Sequence, residues 1–66
     1  MAGATVRFAD VRKMLEGAGY ALVRIRGSHH VFAKPERLPV SIPVHRGKVK
    51  AFYVRQIEKL IAGDRP

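Results

Sequence analysis

The chain has no cysteine, which excludes disulfide staples and thiolate zinc sites as sources of stability and fits a reducing compartment. It also has no long apolar run. The amino-terminal stretch M-A-G-A-T-V-R-F-A-D-V-R-K carries nothing of signal-peptide length, and no segment approaches the ~18 apolar residues of a membrane span. A soluble cytoplasmic protein with no membrane partner is the expectation. Acid is scarce too: between Tyr20 and Lys50, Glu36 is the one acidic residue.

What the chain does have is positive charge. Thirteen Lys and Arg against five Asp and Glu give a net charge of +8 and a pI near 11.0. The same Tyr20–Lys50 segment holds Arg24, Arg26, Lys34, Arg37, Arg46, Lys48 and Lys50. A polyanion or an acidic protein is the natural partner of such a segment. Sixty-six residues make one small domain, and a chain of this size buries only about 60% of its unfolded surface. Its core is expected over about residues 7–62, with frayed ends.

Phe8, Val11, Leu15 and Ala18 recur at helical spacing, with Met14 widening the stripe. The pattern stops at Gly17 and Gly19, which suit a carboxyl-terminal cap, so a helix is expected over about residues 7–18. From Tyr20 to Arg26 the period changes. Val23 and Ile25 alternate with Arg24 and Arg26, the rhythm of a half-buried strand. Gly27-Ser28 suits a two-residue type II′ turn, and His29 to Lys34 returns as a second strand.

Pro35 to Pro39 reads as a loop. Val40, Ile42 and Val44 form a third alternating strand, with Ser41, Pro43 and His45 on its other face; Pro43 marks an edge strand or its end. Arg46-Gly47-Lys48 is a basic turn. Helical spacing then returns from about Lys50 to Ala62 through Tyr53, Ile57, Leu60 and Ile61, supported by Phe52 and Val54, and Asp64 to Pro66 reads as a tail. The order is α-β-β-β-α, an α+β fold. A three-stranded antiparallel sheet would carry both helices on one face and leave the other open.

A two-residue turn pairs Arg26 with His29, Ile25 with His30, Arg24 with Val31 and Val23 with Phe32, and cross-strand partners share a face. Val23, Ile25, His30 and Phe32 then form a core face. Arg24, Arg26, His29 and Val31 form a cationic open face. His30 is expected to be half-buried beneath the helices, held by a hydrogen bond. His29 lies among arginines, where a neutral imidazole can act as a general base. His45, followed by Arg46 and Lys48, could join the same face. A zinc site from His29, His30 and His45 is disfavoured, since adjacent strand residues diverge and carboxylates are distant in sequence.

The run M-L-E-G-A-G-Y-A-L-V-R-I-R-G-S-H-H-V-F, followed by P-V-S-I-P-V-H-R-G-K and a closing helix, resembles the HicA toxins, also called YcfA-like proteins. The resemblance covers roughly Phe8 to Ile61. It implies a double-stranded-RNA-binding-domain-like α-β-β-β-α fold and an endoribonuclease that cleaves messenger RNA and inhibits translation without a metal or other cofactor. It also implies a HicB-type antitoxin that covers the active site. The functional histidine of the family lies in the Gly-Ser-His turn, here Gly27, Ser28 and His29, and some members carry it one place later, at His30.

The expected site therefore has His29 as general base, His30 as the alternate and His45 as a possible acid. Arg24, Arg26, Gly27, Ser28, Arg46 and Lys48 would contact RNA. Two other function classes fit the charge. A non-catalytic RNA-binding module of the same fold predicts salt-dependent binding without cleavage, and a protein-interaction domain predicts an acidic partner alone.

Overall fold

The computed structural model describes residues 4–63, so the tail expected at 64–66 lies outside the described residues. Seven elements follow one another: β1 (Thr5–Arg7), α1 (Phe8–Gly17), β2 (Ala21–Arg26), β3 (His29–Ala33), β4 (Val40–Pro43), β5 (Lys48–Lys50) and α2 (Ala51–Gly63). Strands β2, β3 and β4 form the expected three-stranded antiparallel sheet, in that order. A second, two-stranded ribbon pairs β1 with β5. The sequence pattern does not announce this ribbon, because three residues are too few to display a period.

Helix α1 ends as its glycines require. Gly19 N–H donates to the Glu16 carbonyl and Tyr20 N–H to the Leu15 carbonyl, both at 3.0 Å, which together make a Schellman cap. Gly19 is the left-handed residue at φ +97°, and Tyr20 follows it into the core. Lys34, the residue after β3, closes the same end, donating from Nζ to the Ala18 carbonyl at 2.7 Å. Its ammonium also lies 5.5 Å from the centroid of the Tyr20 ring. The cap thus ties the first helix to the strand that leaves the hairpin.

The β2–β3 turn holds at two residues. Gly27 takes φ +57° while Ser28 is absent from the positive-φ residues, which identifies type II′ rather than I′. Arg26 pairs with His29, Ile25 with His30 and Arg24 with Val31. Beyond that point the register shifts at a bulge, so Leu22 and not Val23 faces Phe32. Val23, expected in the core, is the extra residue and is 56% exposed. Ile25, expected there too, pairs with His30 but is also 56% exposed, close to the Gly27-Ser28 turn of the hairpin. A bulge in an edge strand twists it and hinders further strand pairing.

Strand β4 forms the other edge. Val44 N–H donates to the Ser28 carbonyl at 2.7 Å, which sets the alternation: Ile42 and Val40 bond inward to β3, while Ser41 and Pro43 face outward. Pro43 therefore sits where its missing N–H takes nothing from the ladder. Ser41 is left as the one residue of β4 that donates outward. Both edges are blunted by these local features.

One face of the sheet presents Leu22, Phe32, Val40 and Ile42 to both helices. The buried cluster is Val11 and Leu15 of α1, Tyr20, Phe32, Ile42, Val49, and Val54 and Ile57 of α2. Each large member contributes about 1.5–3 kcal/mol by leaving water. Tyr53 and Ile61 pack against the cluster as the spacing predicts. Phe52 and Leu60 do not, at 56% and 38% exposed, because Val54 and Ile57 take the inward line of α2 and turn Phe52 outward.

The Tyr20 hydroxyl is buried with no hydrogen-bond partner, an arrangement that costs desolvation without return. Tyr20→Phe should raise stability by about 1 kcal/mol, read as a higher denaturation midpoint. Gly19→Ala should lower it by about 1–2 kcal/mol, since the left-handed backbone opposes a side chain. Its new Cβ would also lie 3.2 Å from Lys34 Cε.

Candidate nucleic-acid interface

The two histidines of the turn diverge as strand alternation demands. His29 is exposed and shares the open face with its cross-strand neighbours Arg26 and Pro43, and with Arg24, Val31 and Ser41. His30 lies on the helix side and is half-buried. Its ring packs on Phe8 at the start of α1, with centroids 4.7 Å apart and planes tilted by 58°. Its Nδ1 is 3.4 Å from the Ser28 carbonyl, a long contact whose geometry suits a donating Nδ1–H and an accepting Nε2.

Ser28 thereby joins three elements. Its carbonyl accepts from Val44 and faces His30, while its neighbour Gly27 makes the turn. A Cβ added at Gly27 would meet nothing within 4 Å, so the space above the turn is open to an approaching ligand. The positive φ of +57° alone requires glycine there.

His45 does not continue the sheet. Strand β4 ends at Pro43, and His45 instead closes a second tight turn, exchanging both backbone hydrogen bonds with Lys48 at 2.9 Å. Arg46 at φ +53° and Gly47 at φ +74° make this a type I′ turn. Strand alternation therefore does not set His45 beside His29. It belongs to the adjoining ribbon, reached from the open face through Pro43 and Val44.

Arg46 occupies a position that favours Asn, Asp or Gly, because a long L side chain is strained in the left-handed region. Among the described residues, Glu36 is the other non-glycine residue held in this region, at φ +63°. Together with Arg24, Arg26 and Lys48, all exposed, Arg46 leaves this end of the molecule with an excess of cations. The acidic side chains Asp10 and Glu16 are engaged on α1 by Arg7 at 3.6 Å and Arg12 at 2.9 Å.

A concave groove of about 260 Å³ exists elsewhere, between β4 and α2, lined mainly by Val40, Ile42, Tyr53, Ile57 and Leu60. It holds no histidine, and its apolar walls do not suit a polyanion. The open cationic face does, since an extended anion needs a surface rather than a pocket. Among the described residues, no three His or carboxylate side chains come together as a metal-binding group. No helix among them is long and apolar enough to cross a membrane.

Sequence reasoning missed Arg7, which the β1–β5 pairing sets opposite Lys48.

Comparison with known proteins gives one family. The model described as HicA toxin of bacterial toxin-antitoxin matches residues 8–62. No curated protein matches, and no solved structure does.

Arg46→Asn separates stability from charge at this interface. It should raise the thermal midpoint, by on the order of 0.5–1 kcal/mol of stability, yet elute from immobilised heparin at lower salt than the parent. A variant that gains neither stability nor loses retention would show that the turn tolerates arginine freely and that its charge is idle.

Proposed function

The chain belongs to the HicA toxin family, and we propose that it is an endoribonuclease that cleaves messenger RNA with His29 as general base. Family membership makes it the toxin of a toxin-antitoxin pair, with a cognate antitoxin as partner. The observation that carries the finer reading is the pairing of exposed His29 with Arg26 at the mouth of an open glycine turn. An imidazole flanked by guanidinium groups and reachable from solvent combines a proton acceptor with phosphate-binding charge.

In this mechanism His29 takes the proton from an RNA 2′-hydroxyl. The 2′-oxygen attacks the adjacent phosphorus, and the bond from phosphorus to the 5′-oxygen breaks. The products are a 2′,3′-cyclic phosphate and a 5′-hydroxyl, whose proton comes from His45 or from water. Arg24 and Arg26 stabilise the charge that builds on the phosphoryl oxygens. Arg46 and Lys48 hold the flanking backbone, and Gly27 and Ser28 allow its close approach. No metal or other cofactor takes part. General-base help of this kind is worth roughly 100- to 10,000-fold, consistent with a slow enzyme acting on cytoplasmic messenger RNA.

The antitoxin, of HicB type, neutralises by covering this face. A strongly basic surface favours an acidic cover, through the same field that attracts RNA.

A second reading gives the base role to His30. It is favoured by the contact of its Nδ1 with the Ser28 carbonyl and by the Phe8 ring that fixes its plane, an orienting arrangement common to catalytic imidazoles. His29→Ala and His30→Ala separate the two. On the first reading His29→Ala abolishes cleavage with the fold intact, and His30→Ala lowers stability through its lost Phe8 packing. Loss of cleavage in a folded His30→Ala protein, with His29→Ala active, would transfer the role.

Substrate chemistry tests the reaction itself. DNA and 2′-O-methyl RNA should bind and stay intact. Cleavage of either would exclude attack by the 2′-oxygen, and binding of unmodified RNA without cleavage would leave a non-catalytic RNA-binding module of this fold. Induced expression of the parent and of His29→Ala, with growth and messenger-RNA integrity followed together, extends the test to cells.

A further inference from the structure

The β1–β5 ribbon holds an unfavourable arrangement. Its register is Thr5 opposite Lys50, Val6 opposite Val49 and Arg7 opposite Lys48. Val49 is fully buried and Val6 packs on the core, so the alternation sends Thr5, Arg7, Lys48 and Lys50 to the outer face, and all four are exposed. Arg7 and Lys48 are thus like charges placed directly opposite each other.

The hydrogen bonds make the opposition closer. Phe8 N–H donates to the Gly47 carbonyl at 2.8 Å, and Ala51 N–H to the Ala4 carbonyl at 2.9 Å. Lys48 spends its own N–H and carbonyl on His45. Arg7 and Lys48 therefore form a non-hydrogen-bonded pair, the kind in which facing side chains approach most nearly. Like charges so placed destabilise a strand pair. Asp10 offers partial relief, 3.6 Å from Arg7 Nε, but the Arg7 side chain stays 79% exposed and the pair is weak.

Phe52 adds a second observation of a different kind. It lies in the first turn of α2, two residues after Lys50, with 56% of its surface exposed. Its ring meets Tyr53 edge-on, with centroids 5.3 Å apart, and has no place in the buried cluster. Cations on a strand, followed two residues later by an uncovered aromatic ring, supply the two parts of single-stranded nucleic-acid recognition, in which phosphates track the charge and a base stacks on the ring. Duplex recognition by shape and 2′-hydroxyl contacts would make no use of the ring.

We propose that the outer face of the β1–β5 ribbon, with Phe52, is an accessory site for single-stranded RNA. Arg7, Lys48 and Lys50 bind consecutive phosphates, and a base stacks on Phe52. The His45–Lys48 turn joins the ribbon to the strand that pairs with His29, and on this proposal one strand of RNA crosses both. The anion between Arg7 and Lys48 relieves their repulsion. This rests on the ribonuclease reading for its substrate and adds the strand state and the residues that hold it.

The test is equilibrium binding of a fluorescent 2′-O-methyl single strand without self-complementarity, which cannot be cut by the proposed route. Affinity is measured across salt for the parent, Arg7→Gln/Lys48→Gln, Lys50→Gln and Phe52→Ala, with circular dichroism and thermal melts confirming each fold. Each lost phosphate contact should reduce the slope of log affinity against log salt by about 0.7. Phe52→Ala should weaken binding by roughly 5- to 150-fold with the slope unchanged. Arg7→Gln/Lys48→Gln should melt no lower than the parent, as release of a repulsive pair requires.

Parent-like affinity and slope in the ribbon variants would overturn the proposal while leaving RNA binding by the histidine face intact. So would a duplex that competes as well as the single strand, together with an unaffected Phe52→Ala. Equal competition by polyglutamate would assign the ribbon to an acidic protein instead and likewise overturn it. A parent that binds no RNA at any salt would remove the ribonuclease reading along with it.

Discussion

The closure of the β2–β3 hairpin in two residues is the constraint on which the rest depends. Gly27 supplies the one backbone conformation that lets Arg26 meet His29 directly, and the pairing then propagates by alternation. A turn one residue longer would exchange the faces, sending His29 toward α1 and His30 to solvent. The Ser28 carbonyl carries the same constraint outward: it accepts from Val44 and so fixes where β4 lies. From that bond follows the outward position of Pro43, the end of the sheet and the departure of His45 into the second turn. One dipeptide therefore sets both the histidine face and the approach to the ribbon.

Stability and charge pull in opposite directions across this molecule. The core is small: Phe32, Leu15, Ile42, Val11 and Val49 are its fully buried side chains. Against it stand a net charge of +8, an arginine in a left-handed turn position and a like-charged cross-strand pair. Part of this charge lies on elements whose other face is buried and apolar. Val49 sits under Lys48 and Lys50, and Phe32 and Ile42 underlie the sheet whose far side carries Arg24 and Arg26. The ribbon also serves both helices, since the first N–H groups of α1 and α2 bond to the Gly47 and Ala4 carbonyls.

Much of the fold is legible locally. The stripe of Val11 and Leu15 identifies the buried side of α1, and Gly19 identifies its end, because helical period and left-handed caps are properties of neighbouring residues. The hairpin is legible for the same reason. Three features are not. The bulge replaces Val23 by Leu22 opposite Phe32, a one-residue slip that alternating Val and Ile cannot signal. Phe52 faces out and Val54 faces in, since the apolar residues of α2 offer more than one stripe and the packed partners choose between them. His45 continues the period of β4 in sequence, yet its backbone pairs with Lys48.

The sequence by itself determined the sign of the charge, the ends of the first helix, the two-residue turn and hence the divergence of His29 from His30. All of these rest on interactions between residues close in the chain, where spacing and backbone preference suffice. The tertiary structure alone decided that Arg7 faces Lys48, that Phe52 stays uncovered and that His45 leaves the sheet. The first of these depends on Thr5–Arg7 finding Lys48–Lys50, far along the chain. A three-residue strand has no stability without that partner and the Val6–Val49 contact beneath it, so nothing in its local pattern can announce the pairing.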